Sequence, residues 1–154
     1  MNVGRAFMVA VLIAGVLSLT SAMALAQEAR PPLFAVLSGG NEVSPGGQAN
    51  AGDPDGYGAA TVIVRGRHRL CYAVVVDRID TPTAMHIHEA SAGSNGGVVI
   101  PLMAPGSGNP GEMSDCIEVA DSTLLSRLRV STANFYVNVH TGQFPDGAVR
   151  GQLH

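Results

Sequence analysis

The chain of 154 residues contains no lysine, so all nine of its cations are arginines. Charged residues make up only 14 % of it and the formal net charge is −3. So mild an acidity gives no reason to expect a nucleic acid as partner. No G-x-S-x-G elbow occurs and no glycine loop of the phosphate-binding kind, which removes the usual serine-hydrolase and nucleotide readings. Ser38 precedes two glycines, but nothing beside it supplies a base. Internal repeats are absent. Cysteines number two and histidines five, and the spacing of both carries information.

The start of the chain does not read as part of a fold. Arg5 is its single charge, an apolar run follows from Ala6 to Leu17, and small residues lead to Ala24 and Ala26. This is the three-part layout of a secretory signal peptide, with cleavage near Gln27. An uncleaved anchor is the alternative, although the run is short for a span of about 20 residues. Residues 1–26 are therefore read as a leader, 27–32 as a short N-terminal segment, and 33–154 as one β domain without a membrane span. Loss of Arg5 takes the formal charge from −3 to −4. The predicted location is secreted or periplasmic, and the predicted partner an extracellular or envelope protein.

After the leader the sequence reads mostly as strands. "LFAVLSG" from Leu33, "GAATVIVRG" from Gly58 and "RLCYAVVVDRI" from Arg69 are apolar, rich in β-branched residues and bounded by glycine or charge. The last two form a hairpin about Gly66, which makes "RGRHR" (65–69) an exposed tip, or otherwise a polyanion site. "AMHIHE", "GGVVIPLM", "DCIEV", "NFYVNVH" and "GAVRGQL" follow. Only 121–131 breaks the habit: Asp121 or Ser122 caps a short helix with Leu124, Leu125 and Leu128 on one face. Residues 38–57 read as a long polar loop. The fold class is all-β, an antiparallel Greek-key-like sandwich or barrel with one short helix.

In an oxidising compartment Cys71 and Cys116 are most simply a disulfide. It would close a loop of roughly 46 residues, worth at most about 4 kcal/mol in the chain-entropy model. A free thiol acting as a soft metal ligand is the alternative.

His86 and His88 share one face of their strand, about 6.6 Å apart, while Met85 and Ile87 point the other way. In "YVNVH", Tyr136, Asn138 and His140 share a face opposite Val137 and Val139. If the two strands are neighbours, the three histidines converge, a donor set suited to copper or zinc. The competing reading has them hydrogen-bonded to carbonyls, to Glu89 or to Asn138 and binding nothing. Arg150 is expected to pair with a carboxylate such as Glu89 or Asp146. "GDPDG" (52–56) offers Asp53 and Asp55 to calcium, but it lacks the later acidic ligand of a twelve-residue loop, and a turn explains it as well. "FPDG" (144–147) is a tight turn.

"FAVLSGGNEVSP", "AMHIHEASAGSNGGVVIPL" and "YVNVHTGQFPDGAVRGQL" together resemble the CHRD domain, a module named from chordin, over roughly Leu33 to Leu153. The likeness rests on H-I-H before a G-x-N-G turn and on N-V-H-T leading through P-x-G to R-G-Q-L. Met85 and Glu89 depart from the family's common residues, and the loop containing "GDPDG" is longer than its usual link. The resemblance implies an extracellular β-rich binding module with no assigned chemistry, not an enzyme. His86, His88, His140 and Arg150 are also similar to the copper side of the Cu/Zn superoxide dismutases, which implies as alternative a copper-binding redox protein. No histidine lies between His88 and His140, so a zinc subsite of that type is absent. Asn138, Arg150 and Glu89 are the expected supports of the site.

Overall fold

A computed structural model describes residues 31–154. The expected leader and residues 27–30 lie outside the described residues. Among those described, no helix is long and apolar enough to cross a membrane.

Eight strands form one antiparallel sheet: β1 (Leu33–Ser38), β2 (Tyr57–Arg65), β3 (Arg69–Asp77), β4 (Pro82–Glu89), β5 (Val98–Leu102), β6 (Gly111–Glu118), β7 (Phe135–Thr141) and β8 (Val149–Gln152). Their order across the sheet is β5-β4-β7-β8-β1-β2-β3-β6. Four neighbouring pairs are consecutive in the chain (β1/β2, β2/β3, β4/β5 and β7/β8), while β7 returns beside β4, β6 beside β3 and β8 beside β1 in Greek-key fashion. The sheet curls into a half-barrel instead of splitting into two layers, so β5 and β6 are its edges. Of the two architectures expected, the barrel branch describes it better.

Period-2 alternation explains the curl. Ala35, Leu37, Val62, Val74, Ile87 and Val139 all point to the concave side and belong to one buried cluster. Met85, Ile87, Val137 and Val139 are fully buried, which leaves the histidine-bearing positions of β4 and β7 on the convex side. Helix α1 (Ser122–Val130) closes the core with Leu124, Leu125 and Leu128. Its N-cap Asp121 accepts from Thr123 N at 2.8 Å and Leu124 N at 3.1 Å.

The β2–β3 hairpin turns at Gly66 with φ +60°, and the Arg129 guanidinium donates to the Val64 and Gly66 carbonyls. This is the tip expected of "RGRHR". Cys71 and Cys116 face each other on β3 and β6 and are disulfide-bonded. β6 begins at Gly111, four residues before "DCIEV", because "GEMS" extends the pairing to Val76.

Candidate metal centre

β4 and β7 are neighbours, with Ala84 opposite His140, His86 opposite Asn138 and His88 opposite Tyr136. This register places the three histidines on one face, and one ligand atom from each lies within 4.8 Å of the others. His86 Nδ1 is 3.1 Å from His140 Nε2. Two imidazole nitrogens at this separation could both serve one ion. Between Ile87 and His88 the β4–β5 register shifts, a bulge that re-aims the strand beside the second histidine.

Two of the rings are fixed from behind by main-chain carbonyls. His88 Nδ1 donates to Gly96 O at 3.0 Å, and His140 Nδ1 to Pro145 O at 2.9 Å. A carbonyl only accepts, so both Nδ1 atoms carry the proton and each Nε2 keeps its lone pair. With His140 in that tautomer, His86 Nδ1–H donates to His140 Nε2. His88 Nε2 is buried and has no partner. Burial pushes the His86 pKa below its ordinary value, and the neighbouring His140 adds to this. Burial also lowers that of His88, opposed by the bond to Gly96 O and reinforced by His86, His140 and Arg150. Unprotonated imidazole is the form that binds metals.

A buried polar layer continues along the convex face. Tyr136 is stacked on His88, with ring centres 4.7 Å apart and planes inclined by 3°. On Tyr136 also lies the Arg150 guanidinium, its Cζ 3.4 Å from the ring centre. Arg150 is 1 % exposed and donates to Asn95 Oδ1 at 3.0 Å and to Ser94 O. Asn95 in turn donates to the Val43 and Ser44 carbonyls, tying the 90–97 loop to the long 39–56 loop.

Asn138, opposite both His86 and Arg150 in the sheet, donates to Glu42 Oε2 at 3.4 Å. Glu42 is 2 % exposed, and its Oε1 lacks a partner, as does Asn138 Oδ1. Burial raises the Glu42 pKa from 4.5 to about 7, chiefly against the lowering influence of Arg150. Gly147, with φ +144°, is required here, because a Cβ on it would come within 2.5 Å of the Glu42 carboxylate.

The structure thus brings His86, His88, His140, Asn138 and Arg150 to one side of the sheet. Glu89 is directed elsewhere: it forms a two-pronged ion pair with Arg127 of α1, both contacts at 3.0 Å. Neither Glu89 nor Asp146 is the direct partner of Arg150, which is held by an amide oxygen, a carbonyl and an aromatic ring. The reason is register: Arg150 pairs with Asn138 on β7, whereas Glu89 pairs with Phe135, three residues further along that strand. Asp53 uses its backbone to bond Ala148 O and to accept from Gly56 N, so "GDPDG" works as a turn that docks the long loop.

Glu42 and Asn95 were not singled out in the sequence. Glu42 is a lone carboxylate in an otherwise uncharged stretch, 31–52. That isolation was the available signal.

The family model described as the CHRD domain matches residues 33–153. No curated protein and no solved structure gives a significant match.

Proposed function

The chain belongs to the CHRD-domain family, and on that premise we propose that it is an exported module that binds one copper or zinc ion through His86, His88 and His140. The observation that carries this reading is the convergence of three imidazole nitrogens, one of them the buried and unpartnered His88 Nε2. A hydrogen-bonding role alone would leave that atom desolvated without compensation, at a cost of about 1–3 kcal/mol. Carbonyl bonds at the Nδ1 atoms of His88 and His140 are the customary backing of metal-bound imidazoles: they set the tautomer and fix the ring plane.

In this chain the protein's own parts have separable tasks. Gly96 O and Tyr136 orient His88, Pro145 O orients His140, and His86, in the tautomer with its proton on Nε2, would offer Nδ1 as the third ligand. A bound copper would supply Lewis acidity and one-electron chemistry, and zinc Lewis acidity alone. Between binding and redox turnover, the position of Arg150 favours binding. Its guanidinium is buried and committed to Asn95, Ser94 and Tyr136, so it is withheld from a small anion in solution. The disulfide and the family are compatible with an extracellular or periplasmic location.

The test is metal analysis of the protein purified after export, followed by Cu and Zn titration into metal-free wild type and a His86→Ala/His140→Ala variant. One ion per chain, lost in the variant, is the expected result. Absence of stoichiometric binding by the wild type would leave the histidines as structural residues.

A further inference from the structure

Half of the convex side of the sheet is covered by the long loops and the histidine cluster; the half made by β1, β2, β3 and β6 is bare among the described residues. Period-2 alternation with one face in water places polar residues outward. Here the outward positions include Phe34, Val36, Ala59, Ile63, Ala73 and Val75, with Thr61, Ser114, Glu112 and the Cys71–Cys116 disulfide on the same face. Val36 is 70 % exposed, Val75 52 % and Phe34 48 %. "LFAVL" and "LCYAVVV" are unbroken apolar runs, the pattern of strands buried on both faces. One face of each is supplied by the core. The other lacks its cover.

From this face we infer that a second copy of the chain packs against it, forming a two-fold symmetric sandwich of two sheets. The residues along β2 and β3 are arranged for self-pairing. Thr61 and Ala73 lie opposite one another in the middle row, beside Phe34 and Ser114. A two-fold axis lying in the interface along that row exchanges positions equally far from it on each strand. Ala59 then meets Ile63 of the other copy, a small residue under a large one, and Ala73 meets Ala73. Four positions out, Asp77 meets Arg69 and Tyr57 meets Arg65, an ion pair and a cation–π contact. Glu118 beside Arg69 and Arg78 beside Tyr57 reduce this complementarity without cancelling it, since Arg65 and Arg69 outnumber Glu118 at their end. Sheets packed face to face stand about 10 Å apart with strands inclined by about 30°, which suits a centre made of Ala and Thr.

The extent is sufficient. Strands of six, nine, nine and eight residues, about 4.8 Å apart and rising about 3.3 Å per residue, give roughly 500 Å² per copy. The two faces together offer at most about 1,000 Å², the lower bound of a specific interface. This inference stands apart from the metal reading, because the histidines lie on the other half of the sheet.

Sedimentation equilibrium of the purified wild type at up to about 100 μM, far above the Kd of typical specific interfaces, is expected to give twice the chain mass. Ala73→Arg sets bulk and charge on the axis and is expected to give single chains that retain the wild-type circular dichroism. Arg69→Asp alone is expected to weaken association by about tenfold, and Arg69→Asp/Asp77→Arg to restore it. If Ala73→Arg fails to fold, the Arg69 pair of variants decides. A single-chain mass for the wild type overturns the inference, as does a dimer indifferent to these substitutions, which would place association on another surface.

Discussion

His86 and His140 are 54 positions apart in the chain, yet Nδ1 of one lies 3.1 Å from Nε2 of the other. Antiparallel pairing of β4 with β7 brings this about, with His140 one diagonal step from His86. The contact has two consequences: it orders two rings without metal, and it sets a pair of nitrogens at a spacing one ion can bridge.

Metal binding is expected to persist into mild acid. Burial lowers the pKa of both His86 and His88, so these ligands stay unprotonated somewhat below the ordinary histidine value of 6.5. Affinity measured by competition from pH 8 downward is expected to fall only below that point, and thermal stability to rise with metal. An ion at a hundredfold excess over its Kd adds about 2.7 kcal/mol. An affinity that already declines above pH 7 would contradict the assignment of His86 and His88 as ligands.

Arg150 is expected to be among the costliest polar residues to remove. Truncation to Ala strands Asn95 Oδ1 and Ser94 O and leaves Tyr136 with one naked face. The expected loss is about 3 kcal/mol in urea unfolding. Arg150→Lys keeps the charge but neither the fork nor the planar stack, so less than half is expected to be regained. A loss within 0.5 kcal/mol, the range of ordinary surface changes, would show that the two loops do not depend on the guanidinium.

The disulfide joins residues 45 apart in sequence on adjacent strands. Replacing both cysteines by Ser is expected to cost about 3 kcal/mol, through a less constrained unfolded chain. Wild type unfolded under reducing conditions is expected to match the double variant. If the variant is as stable as the oxidised protein, the β3–β6 pairing is maintained by the sheet alone.

Much of this molecule was legible because its signals are periodic. Alternation in "AMHIHE" and "YVNVH" put the histidines on one face and the valines on the other, and the leucine spacing with Asp121 gave the helix. Strand order was not legible, since pairing partners far apart in sequence leave no local trace. For the same reason the sequence offers Glu89 or Asp146 to Arg150, whereas the fold gives it Asn95, Ser94 O and Tyr136 and places Glu89 beside Arg127. Residues 38–57 read as a long polar loop, and apart from one short 3-10 turn at Gly39–Asn41 the stretch between β1 and β2 is one. Its role in burying Glu42 against Asn138 depends on Gly147 and Asn95, residues more than 50 positions away.

Glu42 supplies a pH dependence of unusual sign. Its pKa is 4.5 in an ordinary setting and about 7 in the fold, mainly through burial. The folded state therefore holds a proton that the unfolded chain releases. Its contribution is fully present below pH 4.5 and is lost as pH rises towards 7 and above. His86 and His88, with lowered pKa values, act oppositely: their contribution is present above 6.5 and lost as pH falls through their folded values. Glu42→Gln mimics the neutral carboxyl at every pH and removes the first slope alone. Relative to wild type, the variant is expected to gain up to about 3 kcal/mol between pH 4.5 and 8, from about 1.4 kcal/mol per pKa unit. Its own stability is then expected to rise with pH through the histidine range. Denaturant unfolding of both proteins at a series of pH values measures the difference directly. A difference that stays constant across the series would mean that Glu42 ionises in the fold as freely as in the open chain, and that Arg150 or water compensates its charge.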